Sequence, residues 1–325
     1  MEDFFFITHD IHDPYFNLAS EEYLLKIKGG NYIYLWVNSP AVIVGVNQNT
    51  LQEVNLGFTE THGIKTVRRQ TGGGAVYHDE GNICYTVIAP FDKNTDNYAK
   101  FTSPVIEYLH SLGVNAEFTG RNDITVGGRK ISGNAQTVYG GKIMHHGTLL
   151  FDTDMSVLSS ALRPNPVKMQ SKGIKSVRAR VANISEFTDP LMTVTEFKKG
   201  LSEHFKKFCK DYNFDDRDFA EINKLVAQKY STYEWNIGYS PKSQNSFEFR
   251  FSFGTLRADF DLEQGMMKNV KITGDFFSER PVEELQARLE NVRFQHADFK
   301  KAISCLSDYI VKGDGNEVAD KVFGV

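Results

Sequence analysis

Residues 68–82, Arg-Arg-Gln-Thr-Gly-Gly-Gly-Ala-Val-Tyr-His-Asp-Glu-Gly-Asn, set two guanidinium groups beside three consecutive glycines. Glycines let backbone N–H groups converge and let a ligand approach where a Cβ would clash. An arginine fork suits a carboxylate or a phosphate. Neighbouring strand residues face opposite ways, so one of Arg68 and Arg69 faces such a ligand. A second cluster spans residues 120–135, Gly-Arg-Asn-Asp-Ile-Thr-Val-Gly-Gly-Arg-Lys-Ile-Ser-Gly-Asn-Ala. Gly127-Gly128 reads as a two-residue hairpin turn that pairs Val126 with Arg129, Thr125 with Lys130 and Asp123 with Ser132. Paired residues share a face, so Asp123, Thr125, Lys130 and Ser132 line a cleft while Ile124 and Ile131 enter the core. On pattern alone, Lys130 and Asp123 could also be an ordinary cross-strand ion pair. A third cluster, His145-His146-Gly147-Thr148, argues against zinc, because adjacent strand histidines point apart and cannot ligate one metal. The chain has neither a Walker A lysine nor a GxGxxG fingerprint.

The elements that carry these clusters follow from periodicity. Residues 64–67 and 83–88 are apolar and β-branched, as strands flanking the glycine run would be. Residues 4–7, 32–37, 41–44 and 142–151 read as further strands. Asp13-Pro14 opens a helix, with aspartate at the cap and proline in the first turn. Residues 45–49 lead into a short polar helix near 51–55, a junction able to turn N–H groups toward an anion. Tyr98, Phe101, Val105, Leu109 and Leu112 make an amphipathic helix, and Asp154 caps a short one over 155–162. Further helices cover the segments marked by Val194, Phe197, Leu201, Phe205 and Phe208, and residues 219–228. A polar linker at 240–245 separates residues 1–243 from a unit at 247–325. That unit opens with Phe247, Phe249, Phe251 and Phe253 in strict alternation, then Leu256 to Leu262, a third strand at 268–273 and terminal helices. Nothing in it suggests chemistry of its own.

Arg-Arg-x-x-Gly-Gly-Gly-Ala-Val-Tyr-His-Asp-x-Gly-Asn at 68–82 resembles the signature of the lipoate–protein ligase A family. Arg-Asn-Asp at 121–123 followed by Arg-Lys-Ile-Ser-Gly at 129–133 resembles its second signature, and His-His-Gly-Thr-Leu-Leu at 145–150 its third. The resemblance extends over nearly the whole chain, including the C-terminal unit. It implies an α+β fold with mixed β-sheets flanked by helices, plus a small α+β accessory domain. It implies that lipoate attacks the α-phosphate of ATP, giving lipoyl-AMP and pyrophosphate, before a lysine of a lipoyl domain displaces AMP. Lys130 matches the family's catalytic lysine and would touch both lipoate and ATP. Arg69 and the run Gly74, Ala75, Val76 and Tyr77 match ATP-contacting positions. Asp123 would contact ATP or help hold Mg²⁺, and Gly72, Gly73 and His146 would border an apolar lipoyl tunnel. The basic run at 168–180 resembles a loop beside the active site, able to close over an adenylate phosphate or to meet an acidic partner. The implied acceptors are the glycine cleavage H protein and the acyltransferase subunits of 2-oxo acid dehydrogenases.

A chain of 325 residues with 41% hydrophobic and 24% charged content can bury a sizeable core. Its net charge of −4 argues against broad nucleic-acid binding. Cys84, Cys209 and Cys305 are scattered and odd in number, which fits a reducing compartment. Without a signal-like leader or an apolar run of membrane-spanning length, the expectation is a cytoplasmic protein with no membrane partner. An alternative of the same fold is an ATP-independent octanoyl or lipoyl transferase working through a cysteine acyl-enzyme. No cysteine lies between Ile131 and Phe208, where that nucleophile is expected, and Cys84 reads as core. The glycine-rich motif of biotin ligases is absent. A non-catalytic lipoyl-domain scaffold would not be expected to keep Lys130, Arg69 and the glycine run together.

Overall fold

The computed structural model describes residues 4–95, 97–119, 121–162, 180–189, 191–238, 245–263, 266–294 and 296–323. The strands, in chain order, begin with β1 (Phe4–Thr8), β2 (Asn31–Val37), β3 (Ala41–Val44), β4 (Lys65–Arg68) and β5 (Val76–His78). They continue with β6 (Asn82–Pro90), β7 (Ala116–Thr119), β8 (Asp123–Val126), β9 (Arg129–Tyr139), β10 (Lys142–Leu150) and β11 (Lys210–Asp211). The last are β12 (Asn245–Phe251), β13 (Gly254–Glu263) and β14 (Met266–Gly274). Among the described residues eight strands form one mixed sheet in the order β11-β1-β2-β6-β10-β9-β8-β7. A small sheet, β4-β3-β5, lies beside it, and β12-β13-β14 form an antiparallel meander of their own. The expected fold class, mixed sheets flanked by helices with a small α+β unit, is the one observed.

The large sheet is buried on both faces, and the alternation along β2 shows how. Ile33, Leu35 and Val37 join a core with Phe101, Val105 and Leu109 of the helix Asn97–Ser111 and with Phe197, Leu201 and Phe205 of the helix Val194–Lys206. Tyr32, Tyr34 and Trp36 face the other way, onto Leu18, Tyr23 and Leu24 of the helix beginning at Pro14. A strand covered on both sides reads as a continuous apolar run, which is why Tyr32 to Val37 shows no polar alternation. Asp13 caps its helix as expected, accepting from the Tyr15 N–H at 2.8 Å.

A buried carboxylate fastens the end of that helix. Asp218 receives Lys28 Nζ at 2.7 Å and the hydroxyls of Tyr23 and Tyr212. Burial alone would raise this carboxyl, yet those donors hold it at about 2. Because the folded value is depressed, the stabilisation is complete above about pH 4 and is lost as pH falls toward 2. The urea midpoint of the native protein is therefore expected to drop across that interval more steeply than that of Asp218→Asn. Parallel curves would remove Asp218 from the acid limb.

The hairpin of β8 and β9 departs from strict alternation. Val126 pairs with Arg129 and Thr125 with Lys130 as expected, but Ile124 then pairs with Ser132 and Asp123 with Gly133. Ile131 is an extra residue, a β-bulge. Regular pairing would put Ser132 on the cleft face; instead Ser132 is fully buried and accepts from Asn134 Nδ2. Ile131 joins Ile124 in the core. Ile131 is thus buried as the regular pairing also required, and what the bulge moves inward is Ser132.

Candidate active site

The glycine run leaves β4, crosses the mouth of the small sheet and enters β5. Gly73 takes φ of +94°, a conformation that disfavours any side chain. A Cβ on Gly72 would lie 2.3 Å from the Phe276 carbonyl oxygen, and the Gly73 N–H donates to that same oxygen at 3.0 Å. The outer side of the loop is thus moored to the C-terminal unit. The Gly274 N–H adds a bond to the Asn47 carbonyl.

The two arginines diverge, as strand geometry requires, but both are buried. Arg68 turns away from the cleft. Its guanidinium donates to the carbonyls of Gly45, Val46, Gln48 and Trp235 and to Thr50 Oγ1, at 2.6–3.2 Å. The junction at 45–49, expected to offer N–H groups to an anion, instead wraps carbonyls around a cation. Arg69 faces the cleft. It donates through Nε to Thr71 Oγ1 at 2.9 Å, through Nη1 to Ile43 O at 3.1 Å, and through Nη2 to Gly72 O and Gly74 O at 2.6 and 2.9 Å. Burial pushes this guanidinium down to about 10, which still leaves it charged at neutral pH. Its first task is to shape the glycine loop.

On the inner side lies a cavity of about 380 Å³. The loop contributes Gly73 to His78, including Gly74, Ala75, Val76 and Tyr77; the hairpin contributes Asp123, Lys130 and Gly133; β10 contributes His146 to Thr148. Leu18, Trp36, Ile43 and Cys84 supply apolar wall. Gly72 does not line the cavity, because its exposed edge is spent on Phe276. The expected residues other than Gly72 are therefore brought together.

Lys130 Nζ lies 2.8 Å from Asp123 Oδ1, both side chains about one-third exposed. Its main chain is held at both ends, N–H to Arg180 O at 2.8 Å and C=O to the Ala182 N–H at 2.9 Å. The segment following the basic run thus braces the lysine; of residues 168–180, all but Arg180 lie outside the described residues. His145 and His146 point apart. His145 meets Gln136, Asn134 and Tyr85, whereas His146 meets Glu21 and Thr71. No group of three or more His, Cys, Asp or Glu side chains able to hold a metal occurs among the described residues.

Residues 13–206 match the lipoyl protein ligase A/B catalytic domain family, and residues 240–321 match the bacterial lipoate protein ligase C-terminus. The chain belongs to the lipoate–protein ligase A family. It is 44% identical over 310 residues to lipoate–protein ligase 1 of Staphylococcus aureus, covering 94% of each chain. The crystal structure of P. falciparum LipL1 in complex with lipoate superposes with a TM-score of 0.82 at 26% identity, over 99% of this chain and 98% of that one. A structure of lipoate-protein ligase A bound with ATP gives 0.64 at 27% identity, over 73% of this chain and 99% of the other.

Several wall residues of this ligase escaped the sequence reading. Arg121, quoted only as part of a motif, lines the cavity with its guanidinium 4.5 Å from the Phe277 ring centre, and donates to the Phe253 carbonyl. Arg250, Asp275 and Phe277 come from the C-terminal unit, which therefore contributes to the site after all. Arg250 Nη1 and Asp275 Oδ2 are 2.9 Å apart. Cys84, expected in the core, is buried but borders the cavity, 3.6 Å from His78 Nδ1. Burial pushes its thiol well above the usual range, and His78 is lowered to about 3 by burial and by the nearby Arg69 charge. A protonated thiol beside an imidazole that stays neutral is a poor nucleophile.

Proposed function

We propose that the cavity joins lipoate to ATP and passes the acyl group to a protein lysine. A lipoate carboxylate oxygen attacks the α-phosphorus, and the bond to pyrophosphate breaks. The lysine ε-amine of a lipoyl domain then attacks the acyl carbon; AMP leaves and the amine gives up a proton. The observation that carries this reading is Lys130, which lines the same cavity as the glycine loop and the apolar wall, its ammonium beside Asp123. There it would hold the acyl oxygen and the α-phosphate together, offsetting charge as it develops on both. Gly74 to Tyr77 would meet the nucleotide through backbone groups, with Arg69 fixing their carbonyls and keeping one Nη1–H for the ligand. Gly73 and His146 would border the lipoyl chain, with Trp36 and Ile43 as apolar wall. Asp123 suits Mg²⁺ because such an ion takes one or two carboxylates and completes its shell with phosphate oxygens and water. Bound there, Mg²⁺ would supply charge neutralisation of the phosphates.

In this reading residues 1–243 form the catalytic domain and residues 247–325 an accessory domain, the joint at 239–244 lying outside the described residues. The glycine cleavage H protein and 2-oxo acid dehydrogenase acyltransferase subunits would be the acceptors. No helix among the described residues is long and apolar enough to cross a membrane; the ligase is placed in the cytoplasm as part of this proposal. A cysteine acyl-transferase is disfavoured by the buried, protonated state of Cys84. Lipoate-dependent exchange of labelled pyrophosphate into ATP, without acceptor protein, is the deciding experiment. Exchange is expected; a folded protein that neither exchanges nor binds ATP would return the reading to the transferase.

A further inference from the structure

Glu21 is a carboxylate only 1% exposed, and among the described residues no lysine or arginine is in hydrogen-bond contact with it. An isolated buried charge of this kind is too costly to persist, so something must compensate it. Its direct partners are the Thr86 hydroxyl, donating to Oε1 at 2.6 Å, and His146 Nδ1, 2.9 Å from Oε1 and 3.1 Å from Oε2. On its far side, His146 Nε2 lies 2.8 Å from Thr71 Oγ1, which receives the Arg69 Nε–H at 2.9 Å.

The hydrogen-bond directions along this row follow from where each hydrogen can go. Arg69 has only donors, so Thr71 accepts from it, and the acceptor that the described residues offer the Thr71 hydrogen is His146 Nε2. With that nitrogen bare, the imidazole hydrogen sits on Nδ1 and points at the Glu21 carboxylate, which can only accept. Every bond is satisfied with a single positive charge at Arg69 and a single negative charge at Glu21. We infer that Glu21 is the remote counter-charge of Arg69 and a positioning residue for the glycine loop, acting through His146 and Thr71. Arg69 in turn holds the carbonyls of Gly72 and Gly74. Because His146 also edges the cavity, the row ties the wall beside the acyl chain to the loop beside the nucleotide.

Replacing Glu21 by glutamine keeps the shape and removes the charge. The amide must either face the Nδ1–H with its own NH₂ or drive the hydrogen to Nε2, where it meets a hydroxyl already aimed at that nitrogen. Thr71→Val cuts the row at its middle, and Thr71→Ser restores the hydroxyl. The inference rests on the ligase reading, and the test separates the two. In the intact protein at pH 7.5, ¹⁵N NMR of the imidazole should show His146 as the Nδ1–H tautomer; an Nε2–H or doubly protonated ring would overturn the inference whatever the enzyme does. In pyrophosphate exchange, folded Glu21→Gln and Thr71→Val should each raise the KM for ATP about tenfold, the size expected for losing a hydrogen bond tied to a charge. Thr71→Ser should stay within about twofold, since its hydroxyl is retained. An unchanged KM in Glu21→Gln, or equal losses in the valine and serine variants, would overturn it. Absence of exchange in the native protein would instead fail the ligase reading, and the tautomer alone would decide the row.

Discussion

Lys130→Ala should abolish lipoate-dependent pyrophosphate exchange while leaving the protein folded. Removing one preorganised group that meets developing charge costs about 10²–10³ in rate, and Lys130 would serve two reacting oxygens at once. Stability should hardly change. Among the described residues the ion pair lost is that with Asp123, about one-third exposed at both partners, and such pairs are worth under about 1 kcal/mol. Lys130→Arg should not restore the rate, because a planar fork cannot occupy the place of a compact ammonium above Gly133. Exchange rates and a thermal melt on the same preparation check both halves. Turnover close to that of the native protein would sink the assignment of Lys130.

Arg68→Ala should do the reverse and strike stability first. The side chain is fully buried, and its loss takes the guanidinium away from four carbonyls and a threonine hydroxyl. A buried acceptor left without its donor costs about 1–3 kcal/mol, and here several lose theirs together. The damage would spread, because the same residue clamps Glu234–Gly238 to the small sheet. Arg68 N donates to Asn236 Oδ1 and Trp235 Nε1 donates to Arg68 O, both at 2.9 Å. A urea midpoint lowered at constant m-value is expected for Arg68→Ala. A midpoint within error of the native protein would mean that those acceptors find other donors.

The contrast between these neighbours shows what sequence could and could not convey. That Arg68 and Arg69 diverge follows from strand geometry. That both are bound mainly by backbone carbonyls does not, because apart from the nearby Gly72 and Gly74 those carbonyls come from Ile43 to Gln48 and from Trp235, distant in the chain. Lys130, Asp123 and His146 were legible because each sits in a short motif whose chemistry is local. Glu21 was not: within Asn-Leu-Ala-Ser-Glu-Glu-Tyr it looks like a solvent-facing helical acid, and only packing beneath His146 buries it. Arg250, Asp275 and Phe277 reach the cavity through docking of the C-terminal meander, which no local period encodes. The bulge at Ile131 escaped for a simpler reason: a pattern of period two carries no mark for an extra residue.

That bulge has a mechanical consequence. It places Gly133 beneath the lysine, so close that a Cβ there would lie 2.7 Å from Nζ. The lysine therefore has a flat floor to sweep over, while Arg180 and Ala182 pin its main chain on both sides. With its main chain fixed and only its side chain to move, Lys130 in the proposed role would follow the reacting oxygen from attack on phosphorus to departure of AMP. In that role, two successive reactions would need only side-chain rotation at Lys130, with no rebuilding of the hairpin that carries it.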